Sequence, residues 1–194
     1  MAAIGKDQPS RAAVKDCQWE QRVDATLGLA AWVQHCDYGF RKIDFTTVKN
    51  SLAIRYSDGS GQPDPLVDVI DLQGTESIED GIKRFFAAHT DPAVAKRCVL
   101  KSYVAPGQKR PSGVKRYTFL PDAMYKKELD KTSDPNEVGD PACGDWGDMP
   151  DGIQYFEAQP ESKVPRFLFV RIGQDEPLFD DATLRLLPAG DPAK

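Results

Sequence analysis

Residues 40–72 carry the feature that most constrains the fold, an alternation of apolar and polar side chains in consecutive short runs. The face that alternation assigns to the core consists in the first two runs of Ile43, Phe45, Thr47, Leu52, Ile54 and Tyr56. The pair Lys49-Asn50 separates these runs, and a loop rich in Gly, Pro and Asp leads to a third, β-branched run over 66–72. Because side chains two apart lie on the same face of a strand, the pattern predicts three antiparallel strands that cover a core.

Helical patterns follow these strands. The apolar stripe of the first predicted helix consists of Ile78, Ile82, Phe85, Phe86 and His89. Ser77 and Asp80 can form a capping box at its start. Asp91-Pro92 predicts a second, short helix, since Asp caps helices and Pro suits their first position. Residues 121–131 predict a third, amphipathic helix.

Further extended segments complete the expected fold. They are predicted over 98–104, 114–120, 153–158 and 166–172, the last two as a hairpin. Asp180 or Asp181 is expected to cap a final turn before 184–187. Together, the predicted strands and helices indicate a disulfide-braced protein of the α+β class. We expect a mainly antiparallel β-sheet with one or two helices packed on one face. We expect one domain over 15–188, with flexible tails over 1–14 and 189–194.

The composition limits the kinds of partner and location that the chain can have. A chain of 194 residues with 28% charged and 40% hydrophobic residues is typical of a soluble globular protein. Its net charge of −5 argues against a nucleic-acid partner, because phosphates require a basic surface. No run of 18 apolar residues occurs, so no transmembrane segment is predicted.

The four cysteines have no Cys-x-x-Cys spacing, which argues against a zinc or thioredoxin-like site. Their even number favours two disulfides, and four separate buried thiols are the alternative. Of the three possible pairings we prefer Cys17–Cys36 and Cys98–Cys143, which close the shortest loops. A helix from Cys17 to Cys36 would separate its ends by about 28 Å, too far for a bridge. The first bridge therefore requires a turn near 26–28 and favours a strand over the ambiguous segment 27–36.

Disulfides also bear on localisation. Met1-Ala-Ala-Ile lacks the basic and apolar regions of a signal peptide. We expect a bacterial periplasmic or secreted protein whose signal peptide has been removed, because disulfides persist in oxidising compartments. A cytosolic protein with reduced thiols is the alternative.

No catalytic residue, cofactor or metal site is predicted. His35 precedes Cys36, but neighbouring strand residues point to opposite faces, and a bridged Cys36 is no nucleophile. His89 suits the end of a helix. The acidic residues Asp140, Asp145, Asp148 and Asp151 surround Trp146 in one long loop. We interpret this loop as a series of solvated turns and not as a calcium-binding site, since the EF-hand spacing is missing.

A basic and aromatic cluster lies around residues 105–117. The sequence Ser112-Gly113-Val114-Lys115-Arg116-Tyr117 is similar to the Ser-Gly…Tyr loop motif of bacterial periplasmic inhibitors of lysozyme, which also combine an antiparallel sheet with disulfides. The resemblance covers six residues, and the second motif of that family, a Tyr followed by Thr-Lys-Gly, is missing. It implies a loop that contacts a basic hydrolase.

The sequence thus predicts an exported binding protein without catalysis, an inhibitor or immunity-type protein that docks on a hydrolase. The partner would be a protein or a cell-envelope component, and the chain a monomer or weak homodimer. The predicted contact residues are Arg110, Ser112, Lys115, Arg116, Tyr117, Asp145, Trp146 and Asp148. The alternative is a cell-envelope hydrolase that uses carboxylates of the 140–151 loop.

Overall fold

A computed structural model describes residues 9, 12–39, 42–56, 63–103, 113–132, 143, 153–159, 165–172 and 179–187. The first half of these residues forms β1 (Cys17–Asp24), β2 (Leu29–Asp37), β3 (Lys42–Val48), β4 (Ser51–Tyr56), β5 (Asp64–Asp71) and α1 (Ile78–His89). The second half forms α2 (Pro92–Ala95), β6 (Cys98–Ser102), β7 (Lys115–Pro121), α3 (Ala123–Thr132), β8 (Ile153–Ala158), β9 (Arg166–Ile172) and β10 (Phe179–Leu186).

All strands belong to one antiparallel sheet with the order β1-β2-β3-β4-β5-β9-β8-β7-β6, and β10 pairs with β2. The predicted three-strand unit is confirmed, with Phe45 opposite Ile54 across β3 and β4. The predicted hairpin of β8 and β9 is also confirmed, with Phe156 opposite Phe169. β5 joins these units through its pairing with β9.

Each face of the central strands is buried in a different core. The first core lies against one face of the sheet and contains Leu29, Phe45, Ile54, Val67, Tyr155, Leu168 and Leu184. The second lies under the helices and contains Ile70, Ile82, Phe86, Phe119, Phe156 and Phe167. This division explains why β9 (RFLFVRI) is nearly all apolar, because its alternate residues enter opposite cores.

The helices pack on one face of the sheet, as predicted. Ser77 Oγ accepts a hydrogen bond from the Asp80 backbone N–H at 3.1 Å, which confirms the cap of α1. The ring of Phe86 stacks on Phe119 with 3.6 Å between centroids. Tyr125 of α3 packs against the same core. None of the described helices is long and apolar enough to cross a bilayer.

Both predicted disulfides are present. Cys17 and Cys36 are direct partners in the β1–β2 register, with 4.1 Å between their Cα atoms. Cys98, the first residue of β6, is bridged to Cys143, which is buried in the second core. The chain turns at 25–28 and then forms β2, so the choice of a strand over part of 27–36 is confirmed.

One local prediction was wrong. Asp180 does not cap a final turn, because residues 179–186 form β10 along β2. The pairing of β10 with β2 shifts register between Asp180 and Arg185, and this irregularity accounts for the turn-like sequence. Within it, Thr183 Oγ1 donates to the Asp180 carbonyl at 2.7 Å and accepts from the Trp32 N–H at 3.0 Å. The predicted tail over 189–194 lies outside the described residues.

Candidate functional site

A surface cleft of about 510 Å³ opens where β1 begins and β2 ends. Its lining residues are Asp16, Gln18, His35, Cys36, Asp37, Lys42, Ile43, Asp44 and Arg55. They come from four consecutive strands and from the residue that precedes β1. The antiparallel connection of β1 to β4 brings these residues to one place.

The disulfide and two unusual backbone conformations set the shape of the cleft. Cys17–Cys36 joins β1 to β2 at the edge of the cleft, and the Asp37 N–H donates to the Asp16 carbonyl at 3.1 Å. Asp16 has φ of 65°, a left-handed conformation that Asp tolerates better than most residues. Gly39, with φ of 77°, turns the chain after β2. The bridge and this hydrogen bond therefore fix the backbone positions of Asp16 and Asp37 at the edge of the cleft.

Carboxylates outnumber cations in the cleft, as Asp16, Asp37 and Asp44 face Lys42 and Arg55. Asp37 Oδ1 accepts from the Gly39 N–H at 2.9 Å, and Oδ2 lies 3.0 Å from Lys42 Nζ. The Gly39 hydrogen bond, and secondarily Lys42, lower the pKa of Asp37, so this carboxylate keeps its charge in mild acid.

His35 projects between the carboxylates of Glu20 and Asp44. Its Nε2 lies 3.5 Å from Glu20 Oε2, and its Nδ1 lies 3.8 Å from Asp44 Oδ1 and 3.3 Å from the Ile43 carbonyl oxygen. The three side chains are about half exposed or more. This open arrangement joins β1, β2 and β3 and adds Glu20 to the acidic rim.

The chemistry of the cleft favours binding of cationic groups. Cys36 is held in a disulfide and cannot act as a nucleophile. Among the described residues, no group of three or more His, Cys, Asp and Glu side chains is placed to hold a metal ion. The exposed carboxylates can instead accept hydrogen bonds from a lysine or arginine of a partner.

The structure separates the predicted contact residues of β7. Lys115 is exposed, but Arg116 is buried, with its Nε 3.0 Å from Glu157 Oε2 and its guanidinium 4.2 Å from the centre of the Tyr155 ring. Tyr117 is also buried and donates to Glu79 Oε1 at 3.2 Å. Burial, and secondarily the charge of Glu79, raise the pKa of Tyr117. The side chains of Arg116 and Tyr117 therefore stabilise the interior of the fold and do not form part of its surface.

The other predicted contact residues lie outside the described residues. These are Arg110, Ser112, Asp145, Trp146 and Asp148. The same holds for the 140–151 loop of the hydrolase alternative, with the exception of Cys143. Both predictions stand untested.

Sequence reasoning missed the cleft, although a signal for it existed. The Cys17–Cys36 bridge was predicted, and in an antiparallel pair it aligns the residues on either side of each cysteine. That alignment brings Asp16 next to Asp37 and Gln18 opposite His35. The proximity of Asp44 and Arg55 followed from the predicted pairing of β3 with β4, in which they are register partners.

No family model, curated protein or solved structure matches this chain. Its class is therefore defined by its own fold, a disulfide-braced α+β protein with a mainly antiparallel sheet.

Proposed function

We propose that this chain is an exported binding protein without catalysis of its own, an inhibitor or immunity-type protein that docks on a basic hydrolase. The observation that carries the proposal is the carboxylate-rich cleft braced by Cys17–Cys36. The cleft is open to solvent and lined by both signs of charge with acids in excess. Such a surface suits a cationic protein partner.

Two disulfides support the export of the protein. Cross-links of this kind persist in the periplasm or outside the cell and are rare in the cytosol. Cys17–Cys36 also fixes β1 against β2 beside the cleft before the partner arrives, which lowers the entropy lost on binding.

Charge supports a basic partner. The chain carries a net charge of −5, and the acidic rim of the cleft adds Glu20 to the three lining aspartates. Opposite charge steers diffusional encounter and makes the association rate depend on salt. We therefore expect fast binding at low ionic strength.

The test is a surface-binding and inhibition assay against a basic lysozyme at low and high ionic strength. We expect saturable binding that weakens with salt and a matching loss of lysozyme activity. Asp16→Asn and Asp44→Asn should each slow association by about 2–5-fold, because each removes one rim charge. Asp130→Asn is the matched control, since it removes one exposed carboxylate at a distance from the cleft. Asp130 lies on α3, which follows β7, and β7 is near the opposite end of the strand order from β1 and β2.

Two results would overturn the proposal. The absence of lysozyme binding at low ionic strength excludes the inhibitor that the Ser112–Tyr117 resemblance implies. Hydrolysis of peptidoglycan by the purified chain, abolished by Asp145→Asn, would establish the hydrolase alternative instead.

A further inference from the structure

We propose that the cleft is controlled by pH, because protonated His35 takes up carboxylates that otherwise bind the cationic partner. The inference rests on the proposed function, since it concerns the same cleft and the same class of partner. It adds a means of regulation: the protein binds its partner more weakly in mild acid than at neutral pH.

Few side chains of this protein belong to a type that changes charge near neutral pH. Histidine is the side chain that ordinarily gains a proton between about pH 8 and pH 5, and the sequence contains only His35 and His89. The four cysteines form two disulfides and do not titrate. His35 lines the cleft, whereas His89 ends α1, which packs on the second core. The cleft therefore contains one of the two imidazoles of the chain.

Each ring nitrogen of His35 faces an acceptor on a neighbouring strand. Nε2 lies 3.5 Å from Glu20 Oε2 on β1, and Nδ1 lies 3.8 Å from Asp44 Oδ1 and 3.3 Å from the Ile43 carbonyl oxygen on β3. These distances exceed the range of about 2.7–3.2 Å for a well-formed N–H···O hydrogen bond. A neutral imidazole donates from one nitrogen only, whereas the protonated ring donates from both. Protonation therefore allows His35 to bind both carboxylates at once.

The strands hold the ring between the two acids. His35 is the register partner of Gln18, and Glu20 follows Gln18 by two residues on the same face of β1. On the other side, the pairing of Cys36 with Ile43 joins β2 to β3 next to the ring. The imidazole and the two carboxylates are about half exposed or more, so rotation of their side chains can shorten the contacts without a change in the backbone.

The charge of the cleft is small enough for one proton to matter. Its charged groups, with those of the rim, are the carboxylates of Asp16, Glu20, Asp37 and Asp44 and the cations of Lys42 and Arg55. Protonation of His35 reduces this excess of two negative charges to one. Asp37 keeps its charge in mild acid, because the Gly39 N–H and secondarily Lys42 lower its pKa.

Protonation also changes which carboxylates a partner can reach. Asp37 is already paired with Lys42 at 3.0 Å, and the protonated ring pairs with Glu20 and Asp44. Within the described part of the chain, Asp16 is then the one lining carboxylate without a cationic partner. A lysine or arginine of the partner therefore competes with His35 for two of its binding groups.

The test measures the dissociation constant of the intact, oxidised protein with a basic lysozyme at about pH 7.5 and about pH 5.5, at the same low ionic strength. The constant should rise about 2–10-fold on acidification, since each exposed ion pair lost by the partner is worth about 1.5–5-fold. His35→Gln should remove most of this rise. Groups of the lysozyme that titrate in the same range act on every variant alike.

Two further variants separate the charge of His35 from other effects. His35→Lys places a permanent cation beside the same carboxylates, so its binding should be weak at both pH values. His89→Gln removes the other histidine and should keep the wild-type ratio of the two dissociation constants. Circular dichroism checks that each variant is folded.

A second measurement needs no partner. In an NMR titration of the free protein, the carboxyl resonances of Glu20 and Asp44 should shift together with the ring resonances of His35. His35→Gln should abolish the shifts of both carboxyl groups in this pH range.

The outcomes distinguish this inference from the proposed function. Equal dissociation constants at the two pH values, or an undiminished rise in His35→Gln, would overturn the pH control and leave the docking proposal in place. Carboxyl resonances that do not follow the ring would also overturn the pH control. The absence of lysozyme binding at both pH values would overturn both proposals.

Discussion

Arg116 and Glu157 face each other as register partners on β7 and β8, and their ion pair of 3.0 Å is almost fully buried. Their side chains are 4% and 0% exposed. Gln159 extends the pair, since its Nε2 donates to Glu157 Oε1 at 2.7 Å and to the Leu184 carbonyl at 2.8 Å. This polar network links β7, β8 and β10 inside the molecule.

Removal of one member of the buried pair should strongly destabilise the protein. Arg116→Met leaves the Glu157 carboxylate buried without its cation, and we expect a loss of about 3–5 kcal/mol in the free energy of unfolding. The double variant Arg116→Met/Glu157→Leu should recover most of that loss, because both charges are replaced by apolar groups. Urea unfolding measures both.

The neighbouring Lys115→Met is the control for this pair. Lys115 is exposed, so its substitution should change stability by no more than about 0.5 kcal/mol. If Arg116→Met were as stable as Lys115→Met, the buried pair would contribute nothing to the stability of the fold.

Gln159 should hold the last strand in place. Besides its contact with the Leu184 carbonyl, its Oε1 accepts from the Leu186 N–H at 2.8 Å. Gln159→Met removes the partner of the buried Leu186 N–H, and such a group costs about 1–3 kcal/mol, whereas the Leu184 carbonyl still accepts from Arg185 Nη1 at 2.8 Å. Hydrogen exchange should show faster exchange of the Leu186 amide, with the amides of β4 less affected. Unchanged protection of Leu186 would contradict this role.

The two disulfides should contribute unequally. Their sequence separations are 19 and 45 residues, and the loop-entropy relation gives about 3.2 and 4.0 kcal/mol. Loss of Cys98–Cys143 by paired alanine substitution should therefore lower stability more than loss of Cys17–Cys36, by about 0.8 kcal/mol. Denaturant unfolding of the two double variants measures the difference. A non-reducing peptide map must first yield both cross-linked peptides, and free thiols at these positions would contradict the pairing.

Gly81 should not tolerate a larger side chain, although it lies inside a helix. A Cβ at this position would collide with the Leu72 side chain and lie 3.1 Å from Phe167 Cε1. We expect Gly81→Ala to destabilise by about 1–3 kcal/mol through overpacking, against a gain of about 1 kcal/mol in helix propensity. Ala88→Gly, on the exposed side of the same helix, should lose only the propensity term. A more stable Gly81→Ala variant in thermal unfolding would show that Leu72 moves aside at little cost.

Acid should weaken the contact of α1 with the loop that precedes it. Arg84 donates to both carboxylate oxygens of Glu76, at 2.9 and 3.0 Å, and with the Gln73 N–H it lowers the pKa of Glu76 below 4.5. Because the folded pKa is depressed, this stabilisation is present above about pH 4.5 and is lost as the pH falls through the folded value.

An NMR titration of the Glu76 carboxyl tests this linkage. Arg84→Met should raise the pKa of Glu76 and reduce the loss of stability in acid. Lys83→Met should change the titration of Glu76 much less, since Lys83 pairs with Asp80, whose charge is the smallest influence on the pKa of Glu76. An identical Glu76 titration in the Arg84 variant would contradict the assignment.

Local patterns were sufficient for most elements of the fold. Alternation predicted β3, β4 and β5, and the Ser77 cap with its apolar stripe predicted α1. These patterns succeed because a strand or helix with one buried face repeats its apolar residues with a fixed period. The disulfide pairing was also accessible, since short loops between cysteines left one preferred choice.

The candidate site and the last strand depended on tertiary contacts. β10 was predicted as a turn because its polar centre, Asp180 to Thr183, has no strand period, and only the edge of β2 makes it extended. Nothing in the local sequence distinguishes Arg116 from an arginine at the surface. Arg116 is a core residue because Glu157 lies opposite it on β8.

The sequence alone therefore determined the class, most of the strands, the main helix and the cross-links, since each depends on residues that are close in the chain or covalently joined. Tertiary structure decided which charges are buried and which form the acidic cleft. Burial and charge pairing depend on residues such as Arg116 and Glu157, which are 41 positions apart in the chain. No local period encodes such a separation.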